Sequence, residues 1–382
     1  NSADGADDSP AVPADGTPTS IDVLVVYDTT AAAWANANGG IATIIAQAIN
    51  KANVAMANSN VSLTVRLAHS TPAAYTYSGS LQTDLIRLRG ATDGYMDNVH
   101  VLRNTYGGDL VTLLVDTGSA YGWVGQAYLL QSPSGQPETG FSDFAIRAVN
   151  TSQVMTHEMM HNLGCGHSKY QKTQPGPGLF SYAAGWYFTG NDSKKYHTIM
   201  AYNADGYGNT YFDCDYFSNP AVLYQGVPTG DAKNGDNHLC IVNTMGPVAA
   251  YRALPASLTK DVPVSGTTAG GDVAYSFDVP LGASSVTIWT SNTTGDVLDL
   301  GVNLPSTGTF PGEVTTSDSG NQGYTLSGNE RVTFTQVSSP ALEAGRYRVL
   351  VAKCGNGGSF TITGTWGTPS GPAPAISSVS PD

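Results

Sequence analysis

Residues 157 to 167 read His157-Glu158-Met159-Met160-His161-Asn162-Leu163-Gly164-Cys165-Gly166-His167. On a helix, positions i and i+4 lie about 40° apart around the axis, so His157 and His161 point the same way. One metal ion can then bond both imidazoles, at roughly 2.0–2.1 Å if the ion is zinc. Glu158 stands one residue on, beside the metal without being a ligand, where its carboxylate can take a proton from water at the ion. Gly164 is free to adopt φ > 0 and end the helix in a sharp turn, which brings His167 back as a third ligand. Three protein ligands leave one position of a tetrahedral zinc (Zn2+) open, and an open position marks a catalytic site rather than a structural one. The plain alternative is a helix with two surface histidines and a chance third, which leaves the fixed spacing of all these residues unexplained.

The pattern H-E-x-x-H-x-x-G-x-x-H resembles the metzincin metallopeptidases, which also carry a methionine turn downstream. The segment with that place here is Thr198-Ile199-Met200-Ala201-Tyr202. The resemblance implies that Met200 lies under the metal as a hydrophobic floor without bonding it; the ordinary alternative is a core methionine. It also implies that Tyr202 turns towards the metal, as a ligand or as a hydroxyl steadying an oxyanion, against a structural or pocket-lining role. Ile21-Asp22-Val23-Leu24-Val25-Val26-Tyr27 looks like the first strand of secreted bacterial reprolysin-like peptidases, the group that includes the peptidyl-Asp metallopeptidases. Phe217-Ser218-Asn219-Pro220, Tyr224-Gln225-Gly226-Val227-Pro228-Thr229-Gly230 and Asp236-Asn237 are similar to the stretch after the methionine turn in that group. The likeness spans roughly residues 20 to 252. Two departures weaken any transfer of substrate preference. Ser168 stands where reprolysins usually have Asp, and the Cys-rich segments shrink to Cys165, Cys214 and Cys240.

Charged residues make up only 12% of the chain, about half the usual share, and Gly, Tyr, Ser, Thr and Asn fill the gap. Such a composition is associated with secreted bacterial proteins, and an extracellular location is expected. The net charge of −13 argues against nucleic acid and against anionic membrane surfaces as partners. No apolar run approaches the ~20 residues of a membrane span. The chain starts at Asn1 without a signal sequence, so the expectation is that one has been removed or omitted. Four cysteines suit an oxidising compartment. Cys354 falls in a later region, which leaves at most one bridge among the first three, and Cys165–Cys214 is the pairing read here, with connectivity open. A thiolate ligand from Cys165 is the alternative, opposed by its place between two glycines ahead of His167.

Residues 1–20 lack periodicity and read as a disordered leader. From Ile21 strands and helices alternate: strand 21–27, helix 40–58, strand 61–68, helices 80–89 and 94–106, strand 110–115. Such alternation gives an α/β domain over 21–252 with a mixed twisted sheet. Residues 120–130 read as a further strand. The metzincin resemblance makes it the antiparallel edge of the cleft, to which an extended substrate adds as a strand through Gly125, Gln126, Ala127 and Tyr128. Trp123 and Tyr128 also suit the core. Asn150-Thr151-Ser152 supply N-cap candidates for the helix carrying His157. His197 reads as structural, with an approach to the cleft as the alternative, and Asp213 and Asp215 as a specificity or calcium candidate. After a linker at 253–260 the texture changes to short alternating runs separated by turn residues, an all-β sandwich over 261–368. Gly295-Asp296-Val297-Leu298-Asp299-Leu300 and Ala344-Gly345-Arg346-Tyr347 resemble bacterial pre-peptidase C-terminal domains. Residues 369–382 read as a linker and the start of a further domain that breaks off.

The resulting expectation is a monomeric secreted zinc endopeptidase acting on a protein or glycoprotein substrate. The competing reading is an inactive secreted binding protein that attaches to glycans or matrix through its sandwich; the intact Glu158 speaks against it. Substrate divides between acidic side chains, which call for cationic pocket residues, and O-glycosylated, mucin-like proteins, which suit a cleft region rich in Tyr and Asn.

Overall fold

The computed structural model describes residues 19–252, 255–280, 282–295, 298–304, 322–323, 329–338, 341–353 and 355–368. Most of the expected leader, Cys354, Asp296-Val297 and the tail at 369–382 lie outside the described residues. The chain divides into two compact units, Asn1–Ala253 and Leu254–Asp382.

In the first unit five strands form one sheet: β1 (Thr19–Tyr27), β2 (Leu63–Pro72), β3 (Leu110–Val115), β4 (Gly125–Ala127) and β5 (Phe141–Ala145). Their order is β2-β1-β3-β5-β4, all parallel except β4, which runs antiparallel on the edge. β1 begins at Thr19, so the last residues of the expected leader are already paired with β2. Its unbroken apolar run follows from burial on both faces. Ile21, Val23 and Val25 join a core with α2 (Ile41–Asn58) and α5 (Val154–His161), while Leu24 and Val26 join a second one with α3 (Leu81–Arg89) and α4 (Asn98–Thr105). Along α2, Ile44, Ile45, Ala48, Ala52, Ala55 and Met56 keep the helical spacing that faces one side to the sheet.

Several expectations need correction. Residues 120–130 are not one strand: Ser119 Oγ accepts from Tyr121 N at 3.1 Å, making a turn, and only Gly125–Ala127 pair with β5. Two helices escaped the periodicity, α1 (Thr29–Asn36) and α6 (Asn237–Val248). Each starts on an aspartate N-cap, Asp28 accepting from Ala31 N at 2.7 Å and Asp236 from Leu239 N at 2.9 Å. Asn150-Thr151-Ser152 do not cap α5. The hydroxyls of Thr151 and Ser152 donate backwards to the Ala148 carbonyl, and the N-cap position is Gln153, without a side-chain capping bond. Cys165, Cys214 and Cys240 stand as buried thiols, so the expected Cys165–Cys214 bridge is absent. The reason is packing: Cys165 belongs to the main core, and Cys214 to a separate small cluster with Phe188 and Tyr196.

The second unit is built of strands in a five-stranded and a four-stranded sheet. Ala256–Leu258 pairs in parallel with Tyr275–Phe277, so the expected linker at 253–260 already contains sheet. Among the described residues every other strand pairing in this unit is antiparallel, and an isolated parallel bridge joins Lys260 and Gly364. Phe277, Val349 and Val351 of one sheet and Val286, Ile288 and Ile362 of the other share a single apolar core. No helix among the described residues is long and apolar enough to cross a membrane.

Candidate metal centre and cleft

α5 follows β5 through a short 3-10 segment, Ile146–Asn150, and buries Val154, Met155, Met159 and Met160. It ends where Gly164 takes φ +88°. Gly164 N donates to the His161 carbonyl at 2.9 Å and Cys165 N to that of Met160 at 3.0 Å, the two bonds of a Schellman cap. The reversal brings His167 against His157 and His161. Their Nε2 atoms stand 3.0 Å (157 to 167) and 3.1 Å (161 to 167) apart.

The other nitrogen of each ring decides what this closeness means. Nδ1 of His157 lies 2.8 Å from the Ile199 carbonyl oxygen, that of His161 2.8 Å from Cys165 O, and that of His167 3.0 Å from Gln174 O. A carbonyl can only accept, so each Nδ1 carries the proton and each Nε2 presents a lone pair. Burial, with the neighbouring rings, pushes His157 down to about 3 and His161 well below its ordinary value. His167 is lowered as well, again by burial. Three lone pairs facing one another with no proton among them repel unless a cation lies between. A divalent metal fits this donor set, with backbone carbonyls holding every ring in the required tautomer.

Glu158 is 6% exposed, and burial raises its carboxyl from 4.5 to about 8. Its neighbour across the cleft wall is Gly125 of β4, where a Cβ would stand 2.7 Å from Glu158 Cγ and 2.8 Å from Cδ. Only glycine lets the edge strand pass this close to the carboxylate. On the other side, Met200 is fully buried in the main core, and the preceding Ile199 supplies the carbonyl for His157. Tyr202 sets its ring 4.7 Å from that of His167, tilted by 52°, and its hydroxyl donates to Gln174 Oε1 at 2.7 Å. Burial first, then the Glu158 charge, push that phenol up to about 12. Gln174, which nothing in the sequence singled out, thus braces His167 with its carbonyl and Tyr202 with its side chain. It does so from a left-handed backbone conformation, φ +47°.

β4 bounds the cleft. Ala145 N donates to the Val124 carbonyl at 2.7 Å and Tyr128 N to that of Phe141 at 3.3 Å, flanking the three-residue ladder. Antiparallel alternation then turns the N–H and C=O of Gly125 and Ala127 outward, to the cleft, and those of Gln126 inward. The indole N–H of Trp123 donates to the Gly125 carbonyl at 3.1 Å. Tyr128 packs against the second core, whereas Trp123 is 67% exposed at the cleft. His197 is buried and also reaches the cleft; its Nε2 lies 2.7 Å from Asp213 Oδ1, and Asp215 accepts from Gln153 at 2.8 Å. Among the described residues lining the cleft there is one lysine, Lys51, and no arginine.

Residues 17–218 match the Reprolysin_5 model, metallo-peptidase family M12. The chain is similar to the peptidyl-Asp metalloendopeptidase of Stenotrophomonas maltophilia (strain K279a), 32% identical over 237 residues, which is 62% of this chain and 54% of that one. It is similar at 32% over 240 residues to the protein of the same name from Xanthomonas campestris pv. campestris, covering 62% of this chain and 53% of that one. The chain therefore spans about half the length of these curated relatives. A solved pre-peptidase C-terminal domain of a collagenase from Bacillus anthracis aligns with 29% of this chain and 93% of its own at 15% identity and a TM-score of 0.22, too distant to argue from. The family match covers more than half of the 382 residues, and the chain belongs to metallo-peptidase family M12.

Proposed function

We propose that this chain is a secreted zinc-dependent endopeptidase with a metzincin catalytic domain, followed by a β-sandwich of the pre-peptidase C-terminal kind. The observation that carries the reading is the convergence of three Nε2 lone pairs beside a buried carboxylate one residue along the same helix. His157, His161 and His167 hold the metal. When bound, zinc supplies Lewis acidity, polarising the scissile carbonyl and making water a stronger acid. Glu158 takes the proton from attacking water and passes it to the leaving amine. Its tight apolar setting keeps the carboxyl basic enough for that task. Tyr202 offers a hydroxyl to the developing oxyanion, and Met200 floors the site. The outward N–H and C=O groups of Gly125 and Ala127 receive an extended substrate as an added strand, with Gln126 and Tyr128 shaping the wall.

For the substrate, the relatives' name points to aspartyl peptides, but this cleft offers little to an acidic side chain. The lysine lining it among the described residues, Lys51, is already engaged with the carbonyls of Val149 and Ser152 at 2.6 and 3.1 Å. Asp213 and Asp215 stand in the same cleft. Neutral polar segments such as O-glycosylated Ser/Thr stretches fit better, with the exposed faces of Tyr121 and Trp123 available to sugar rings.

The purified chain is expected to hold about one zinc per molecule and to lose proteolysis on chelation. Glu158→Ala should keep the metal and lose at least about 10²-fold in kcat. Full activity in that variant, or a metal analysis without zinc, removes the mechanism. Digests of a glycoprotein and its deglycosylated form, read by mass spectrometry, decide the substrate class: cuts that survive deglycosylation, or that track Asp, remove the glycoprotein reading.

A further inference from the structure

Cys165 and Cys240 meet beneath the metal centre. Cys165 lies in the loop between the second and third histidines, and Cys240 lies one turn into α6; both are 0% exposed. A Cβ on Gly164, the residue before Cys165, would stand 3.5 Å from Cys240 Sγ, and burial first, then the neighbouring Cys240 thiol, push the Cys165 thiol well up. Each sulfur also rests on the other's segment: Cys165 Sγ is 3.7 Å from the Asn237 carbonyl oxygen of α6, and Cys240 Sγ is 3.5 Å from that of Leu163. Cys214 is committed elsewhere, with Sγ 3.1 Å from the His197 carbonyl oxygen. Two thiols buried in one core, each resting on the segment that carries the other, are placed for a bond between them.

We propose that Cys165 and Cys240 form a disulfide that fastens the third-ligand loop to α6. The two thiols give up two protons and two electrons as one S–S bond forms, and the electrons reduce the disulfide of an exchange donor, such as oxidised glutathione, to two thiols. Since neither sulfur is exposed, exchange takes place while the chain is still folding, and the finished bond is out of reach of reductants in the native protein. The enclosed loop carries His167, Gln174, Met200 and Tyr202, so the bond restrains both ends of the segment that completes the site.

The test is a disulfide map of the full chain, refolded with zinc in a glutathione redox mixture, then denatured and alkylated without reduction. The peptides holding Cys165 and Cys240 are expected to be joined, lighter by two hydrogens than their sum, with Cys214 alkylated alone. Alkylation of both Cys165 and Cys240, or a joined Cys165–Cys214 pair, overturns the proposal. Cys240→Ser gives a second measurement. Its melting temperature should match that of wild-type protein refolded under reducing conditions, and both should release zinc to a chelator several-fold faster than the oxidised protein. Equal release rates in all three preparations would overturn the restraint on the loop.

Discussion

Gly125 and Glu158 show how one missing methyl group can set the place of a buried carboxylate. The carboxylate fills the space a Cβ would take at 125, so Gly125→Ala must move either the edge strand or the proposed base. Displacements near 1 Å can cost about 10²-fold. A fall of that size in kcat is expected, with zinc content and melting temperature close to wild type; unchanged kcat would show that the base is not held by this contact. Tyr202 permits a second test. If its hydroxyl meets the oxyanion, Tyr202→Phe should lower kcat by about 10²–10³-fold and leave KM nearly unchanged, whereas a purely structural tyrosine would cost stability and spare kcat. At this scale the sequence was legible where chemistry demands fixed spacing: His157, His161 and His167 converge, and Gly164 takes the positive φ that the turn requires. It was silent where the backbone acts. Ile199, Cys165 and Gln174 serve through their carbonyls, and a carbonyl leaves no mark on residue type.

β4 shows what an edge strand owes to its neighbours. The Gly125 carbonyl, one of the groups turned to the cleft, already accepts from the Trp123 indole, so a peptide adding to β4 in the proposed way would have to displace that donor. Trp123→Phe keeps the ring and removes the N–H. With a net hydrogen bond worth about 1 kcal/mol, KM for peptides should fall by up to about five-fold with kcat held. A raised KM would instead make the indole N–H a substrate contact. Legibility at this scale followed burial. β1, β3 and α2 carry apolar runs or stripes long enough to declare themselves. β4 was overread because Ala120 to Val124 look strand-like while Ser119, just before them, turns the chain. α6 was missed because Gly246 and Pro247 in its last turn, after Asn243 and Thr244, mask a helix that is held by Asp236 and by its buried Cys240, Ile241 and Met245.

Across the whole molecule, legibility tracked the switch from mixed to purely alternating patterns near residue 253, and each of the two units has its own core. What composition does not reveal is how many ionisable groups the first unit buries. Burial raises Glu158 from 4.5 to about 8 and Asp109 from 3.8 to about 7. An acid whose folded pKa exceeds its unfolded value stabilises the fold below the unfolded pKa and loses that contribution as pH rises through the folded one. The metal-free chain should therefore weaken from about pH 4.5 to 8, each acid losing about 1.4 kcal/mol for every pH step between its unfolded and folded values. The metal-site histidines work in the opposite sense. Their depressed pKa values, His157 down to about 3, stabilise the fold above 6.5 and lose that contribution as pH falls below it. The two limbs enclose a maximum between about pH 4.5 and 6.5. Thermal melts of chelator-stripped protein from about pH 4 to 9 would trace both limbs, and Glu158→Gln, which cannot ionise, should flatten the alkaline limb while leaving the acid limb in place. An alkaline limb of equal slope in both proteins would put the carboxylate in solvent rather than beneath Gly125, and with it would go the account of how the base is kept basic.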